Sequence, residues 1–525
     1  MRDASQPSNV PSAAAPLPSP AARRWTLAAA ILGSSMAFID GTVVNVALPA
    51  LQRHLDASAA DAQWVVEAYA LFLSALLLVG GALGDRFGRR RVFCTGVALF
   101  TLASLACALS PTVGVLIAAR AVQGLGAALL VPGSLSLISA AYPQAERGAA
   151  IGTWSAFSGI TAAVGPVLGG FLVDHYSWTW AFLLNLPLGL GLLALCLLKV
   201  PEDAGGHTRG PVDLAGAALA TAGLAGVVFA LIEAPGRGWT AWLVLLAAAA
   251  GVAALAAFVE VERRGRNPML PLALFGNRNF TATNLLTLLL YAALGGALYF
   301  FPLNLIQVQG YGATAAGAAL LPFVIILFVL SRWTGKLADR FGPRLPLVVG
   351  PAIAAAGFVL FAVPGMGGSY WTTFFPAVCV LGLGMSITIA PLTTTVMNAV
   401  DEHLAGTASG VNNAVSRTAG LLAIAVLGVV LAATFDARLA AELQTARAPA
   451  PLAAALLDQR QKLAGIVVPA EVAEPEARRL HRAVGGAFVA GFRWVMLLSA
   501  ALALLGALSA WCLVRGLAGT GKPGA

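Results

Sequence analysis

Stretches of about twenty apolar residues recur along almost the whole chain, about fourteen of them, the first at 25–49 and the last at 487–514. At about 1.5 Å per residue, each can carry a helix across a hydrocarbon core about 30 Å thick. Lipid offers no partner to a free backbone N–H or C=O, so a spanning segment is either a helix or part of a closed barrel. No barrel-like alternation of period two is present, and the fold class that follows is an all-α polytopic membrane protein. Composition agrees: 59% of the 525 residues are hydrophobic and 10% are charged, against about 25% charged in soluble domains. A water-soluble globular protein is excluded.

Orientation follows from the bases. Of the 32 Lys and Arg, nineteen fall in the two tails and in the loops after even-numbered spans. The opposite short loops hold Arg53 and Arg237, and seven more bases lie among acids in 435–486. Cytoplasmic loops carry such an excess, so both termini are expected in the cytoplasm, 435–486 outside, and the protein in the cell membrane. The net charge of +9 then records topology, and no nucleic-acid partner is expected. Nine of the eleven tryptophans, Trp25 and Trp511 among them, fall at span ends, where interfacial Trp concentrates. Residues 1–24 read as a disordered tail, and 25–49 is too long for a signal-peptide core.

The five cysteines, Cys94, Cys107, Cys196, Cys379 and Cys512, form no CxxC pair, and the histidines are scattered, so neither a disulfide nor a metal site is expected. Gly516 to Lys522 fits GxxxxGK, but Pro523 stands where a nucleotide-binding loop needs Ser or Thr and no strand precedes it. No cofactor is expected, and ATP is not the energy source.

The strongest long-range signal is a repeat. GALGDRFGRR at 81–90 returns as GKLADRFGPR at 335–344, with seven of ten positions identical and an offset of 254 residues. Both copies follow an even-numbered span, as parallel structural repeats produce. In the first copy Gly81, Gly84 and Gly88 permit a tight turn, Asp85 suits a neighbouring helix N-terminus, and Arg86, Arg89 and Arg90 hold the loop inside. Asp339, Arg340 and Gly342 are the second copy's counterparts.

GALGDRFGRRR resembles the signature loop of the major facilitator superfamily, and 335–344 resembles its second-half counterpart. SSMAFIDGTVVNVALPAL at 34–51, RAVQGLGAA at 120–128 and TAAVGPVLGG at 161–170 resemble the first-, fourth- and fifth-span motifs of its fourteen-span drug:proton antiporter branch. The resemblance implies two six-helix bundles, 25–199 and 280–514, with an inserted pair at 213–262, a loop at 435–486 and a cytoplasmic tail at 515–525. It implies proton transfer involving Arg120 and an antiporter motif carried by Gly165, Pro166, Gly169 and Gly170. Thr161 and Thr179 depart from the motifs' usual glycine and arginine; neither position titrates.

Ionisable groups inside spans are costly to insert, about 2.5–3.5 kcal/mol each, and are functional candidates. Asp40, Glu67 and Arg120 lie roughly 13, 8 and 12 Å in from the expected outer ends of their spans, in one layer. Burial favours a neutral carboxyl and Arg120 favours a charged one, and this opposition suits a proton switch. Position makes Asp40 the more desolvated carboxyl and leaves Glu67 nearer the mouth to select substrate charge; a fixed ion pair between spans is the structural alternative. Asn45, Gln123, Asn412, Asn413 and Arg417 are candidate cavity-lining groups.

The function expected is proton-coupled efflux of lipophilic drugs or antibiotics, cationic ones included, with small-molecule substrate, protons and membrane lipid as partners and no obligate protein partner. A dedicated exporter of a metabolite or self-made antibiotic would use the same scaffold. A membrane enzyme acting on lipid-linked substrates would need a catalytic cluster at one interface, and the sequence contains none.

Overall fold

A computed structural model describes residues 18–202, 212–265, 268–401 and 404–515, with the side chains of 331–332 and 335–339 outside that description. Among the described residues, fourteen helices are long and apolar enough to cross a membrane and no strand occurs. The first six are α1 (Pro20–Leu55), α2 (Ala59–Phe87), α3 (Arg89–Ala108), α4 (Val113–Ala141), α5 (Gln144–His175) and α6 (Trp180–Lys199). Then come α7 (Leu214–Arg237) and α8 (Trp242–Arg264). The last six are α9 (Arg278–Val308), α10 in two pieces (Ala313–Ala318 and Leu321–Phe341), α11 (Arg344–Ala362), α12 (Phe375–Asn398), α13 (Ala405–Thr445) and α14 (Glu474–Leu513).

Local chemistry sets many of the ends. Ser58 and Asp61 form a reciprocal capping box at the start of α2. Thr112, Asp213 and Asn277 cap α4, α7 and α9 through their side-chain oxygens. Gly88 and Gly342 close α2 and α10 at φ +97° and +73°, a region that costs an L-residue about 1–2 kcal/mol. Sequence spacing puts span ends near 434 and 487, yet α13 runs on to Thr445 and α14 starts at Glu474. Leu439, Leu443 and Leu480 are buried in one apolar cluster beyond the expected span ends, which is why this part of 435–486 is helix.

The pairing of helices repeats. α1 packs on α5 and α6, α2 on α4, and α3 on α4 and α6. Six helices plus the insert further on, α9 packs on α13 and α14, α10 on α12, and α11 on α12 and α14. The two sets meet through α2 against α13 and α5 against α10. The inserted pair divides. α8 touches little but α7, whereas α7 lies in the seam between α2 and α13. There Leu224, Val228 and Ile232 share an apolar cluster with Leu71, Ala75, Leu421 and Ala425.

Contact between α5 and α10 is concentrated on Ala313–Ala318, at the end opposite the start of α1, and sparse along Leu321–Phe341. A Cβ on Gly170 would collide with the Ala313 backbone and one on Gly317 with the Pro166 carbonyl, so small residues set this approach. Asp174 of α5 accepts hydrogen bonds from the Ala313 and Thr314 amides at 3.0 and 2.8 Å. Gln307 donates to Gln52 at 2.8 Å and Lys462 to Asp56 at 2.6 Å. Toward the end where α1 starts and α14 stops, Phe157 and Ile160 of α5 and Ile325 and Val329 of α10 are exposed. The halves are pinned at one end and apart at the other along this pair.

Candidate functional site

Asp40 of α1 and Arg120 of α4 meet in the first bundle, Arg120 Nη1 donating to Asp40 Oδ2 at 2.6 Å. Their side chains are 0% and 1% exposed. Gln123, one helical turn after Arg120, donates to Asp40 Oδ1 at 2.8 Å and accepts from Arg120 at 2.7 Å. Asn185 of α6 also donates to Asp40 Oδ1, at 2.9 Å. Gln123 and Asn185 both reach the Ser104 hydroxyl of α3, at 3.3 and 3.0 Å. Arg120 Nε donates to the Val65 carbonyl of α2 at 2.9 Å, and its guanidinium lies 4.3 Å from the Tyr69 ring centroid. Five helices are thus tied around one carboxylate. Every hydrogen bond given to Asp40 comes from an N–H, so the site fits the ionised form, a buried charge that is paired and solvated by protein dipoles.

Glu67 of α2 is equally buried, yet neither carboxyl oxygen has a hydrogen-bond partner. Ranking the two carboxyls by depth along their spans therefore fails. Both lie at zero exposure, and the shallower one is the less compensated, because partners rather than depth decide how well a buried charge is supported. Glu67 does not join the Asp40 network.

Gln123 and Asn412, expected to line a cavity, have their side-chain N–H groups in interhelical bonds instead. Asn412 of α13 donates to Asn284 and Thr287 of α9 at 3.1 and 2.8 Å. Asn45 is half-buried with its Oδ1 unpartnered. Asn413 is exposed and accepts from Arg417 Nε at 3.0 Å. Of the span-5 motif, Gly165 and Gly169 lie against Thr42 and Val43 of α1, while Pro166 and Gly170 face α10. The residues that sequence reading passed over are Asn185, Ser104 and Tyr69. Asn185 carries a usable signal, a lone amide in the apolar run FLLNLPLG.

The copied loops repeat their chemistry. Asp85 accepts from Arg89 Nε, the first residue of α3, at 3.0 Å. Arg86 and Arg340 each lie over the following Phe ring, at 5.2 and 5.3 Å. Arg90 donates to the Leu197 carbonyl near the end of α6, and Arg344, its counterpart 254 residues later, donates to the Trp511 carbonyl near the end of α14. Each arginine meets the negative end of its own bundle's last helix. Gly81 and Gly84 face Pro132 and Arg89 at ordinary contact distance; the Asp339 side chain lies outside the described residues. Beyond the span, Arg91 donates to Glu202 at 2.7 Å and that hydrogen bond holds the Glu202 carboxyl below its usual range.

The family model of the Major Facilitator Superfamily matches residues 30–424. Multidrug resistance protein Stp of Mycobacterium tuberculosis (strain CDC 1551 / Oshkosh) is 37% identical over 86% of this chain and 82% of its own. The tetracenomycin C resistance and export protein of Streptomyces glaucescens is 33% identical over 92% and 90%. Among solved structures, a bacterial homolog of the human lysosomal transporter Spinster, inward-facing and unoccupied, superposes with TM-score 0.64 at 18% identity, covering 95% of this chain and 100% of that one.

Proposed function

Because the chain belongs to the major facilitator superfamily, we propose that it exports lipophilic small molecules, antibiotics and cationic drugs among them, in exchange for protons. The observation that carries the proposal is the ion pair between Asp40 and Arg120, buried at 0% and 1% exposure. Insertion of such groups is costly, and the pair sits where five helices of one bundle converge. Relatives whose names record drug resistance and antibiotic export support the substrate class.

The excess of bases in the loops after even-numbered spans supports an orientation with both termini in the cytoplasm; in it the parted ends of α5 and α10 face inward and the Asp174 contacts close the outside. In this state Asp40 is held as a carboxylate by three N–H donors, and substrate loads. When the bundles rock and the outer end opens, a proton from outside binds Asp40 Oδ2, the ion pair with Arg120 breaks, and substrate leaves. Return to the inward state restores the pair and delivers the proton to the cytoplasm. Glu67, with no donor beside it, is accommodated as a neutral acid. The proton gradient is the energy source, and no cofactor takes part.

Two measurements test this. In proteoliposomes an imposed proton gradient should drive flux of a fluorescent lipophilic cation, and a protonophore should stop it; flux that persists without the gradient, or that requires ATP, rejects the proposal. In a cysteine-free background, Phe87→Cys should react with impermeant maleimide only from the cytoplasmic face and Gln459→Cys only from outside. The reverse pattern inverts the orientation.

A further inference from the structure

Between α2, α7, α8, α9 and α13 lies a cavity of about 390 Å³. It is separate from the carboxylate network, none of whose residues lines it. Its walls include Leu78 of α2, Leu224 of α7, Leu255 and Phe258 of α8, and Leu285 and Leu288 of α9. Among the described residues, no charged side chain lines it. The connection from α8 to α9 forms its rim through Met269, Leu270 and Phe275. That rim is fastened: the Leu270 amide donates to Glu262 Oε2 at 2.9 Å, and the Phe275 ring packs edge-on against Phe280 at 5.2 Å.

The polar side chains among its described lining residues are Ser74, Thr281, Asn284 and Thr418, and the first two present acceptors. The Ser74 hydroxyl donates to the Ala70 carbonyl at 2.6 Å, and the Thr281 hydroxyl to the Phe275 carbonyl at 2.6 Å. With their protons committed, both oxygens keep lone pairs and act as acceptors. We propose that this cavity is a second ligand site, taking a neutral apolar molecule that carries a hydroxyl or N–H donor. The volume lies within the range of about 300–1,000 Å³ typical of small-molecule sites. An ion is disfavoured, since none of the described lining residues would pair with it. A lipid acyl chain would cover the leucines but leave the Ser74 and Thr281 acceptors unused, whereas a donor-bearing ligand satisfies both surfaces. The site also gives the inserted pair a role, because α7 and α8 supply one wall of a chamber whose other walls come from both bundles.

Binding is read without a gradient, so its result stands apart from export. The full chain in lipid nanodiscs is irradiated with 4-(hydroxymethyl)benzophenone, a neutral photoreactive alcohol, or with benzophenone, which lacks the donor. Adducts are mapped by peptide mass spectrometry. The alcohol should label Met269, Leu255 and Leu285 about tenfold more than benzophenone does, the discrimination one net hydrogen bond allows. Filling the chamber with Ala414→Trp, or with the milder Ala220→Leu if the first does not fold, should remove those adducts. Equal labelling by the two probes overturns the proposal, as do adducts indifferent to the filling substitutions. So does a photoreactive phospholipid acyl chain that labels the same residues and is not displaced by the alcohol.

Discussion

The two bundles share a packing plan and differ in what they bury. Their copied loops turn at a left-handed glycine, stack an arginine on the next phenylalanine, and send a second arginine to the last helix's carbonyls. Inside, they part company. The positions 254 residues after Asp40 and Arg120 are Leu294 and Phe374, both buried. Phe374 packs with Phe301 at 5.4 Å, and Phe301 with Phe361 at 4.9 Å. One bundle centres on an ion pair wrapped in amides, the other on aromatic and aliphatic contacts. A duplicated scaffold thus carries a buried ion pair in one half and apolar contacts in the other.

The comparison breaks most readily at Arg120. Arg120→Met should cost about 3–5 kcal/mol by leaving Asp40 buried without its partner, read as a large fall in thermal stability of the detergent-purified protein. Making the first bundle resemble the second, with Asp40→Leu and Arg120→Met together, should restore most of that stability and leave gradient-driven transport lost. A double variant as unstable as the single one would mean that the amide shell, not the charge, holds the five helices.

Gly88→Ala and Gly342→Ala should each cost about 1–2 kcal/mol, since both force a Cβ into the left-handed region. Near-equal melting shifts are expected; an effect confined to one of them would show that the two turns are not equivalent in energy. The smallest effects belong to the loop arginines. Arg90→Met should cost about 1 kcal/mol through its lost carbonyl bond. Arg344→Met should cost about 0.5–1 kcal/mol more, because its guanidinium also lies 4.5 Å from the Trp511 ring centroid. Equal losses would remove the stacking from the account.

Much of this was legible in the sequence because the membrane imposes strong rules. Span count, the copied loop and the buried charges of Asp40 and Arg120 follow from hydropathy, identity and the cost of inserting ions. Less legible was whatever depends on which side of a helix a residue faces. Asp40 and Glu67 look alike as acids in apolar runs, yet one is surrounded by donors and the other has none. Asn185 lies 145 residues from Asp40, and only the fold of α6 against α1 and α3 brings them together. The place of α7 in the seam is likewise tertiary, since the repeat fixes which spans are extra and not where they pack.

The central claim is that Asp40 carries the coupled proton, and Asp40→Asn tests it most directly. The amide keeps the carboxylate's shape and its oxygen can still accept from Arg120, so the fold should persist, at lower thermal stability because Arg120 loses its counter-charge. Proton flux and drug flux are then recorded side by side in proteoliposomes, with Glu67→Gln alongside. The account predicts that gradient-driven flux and substrate-induced proton movement vanish together in Asp40→Asn, while Glu67→Gln, which replaces a neutral buried acid, loses less and equally for cationic and neutral substrates. Full coupling in Asp40→Asn would contradict it.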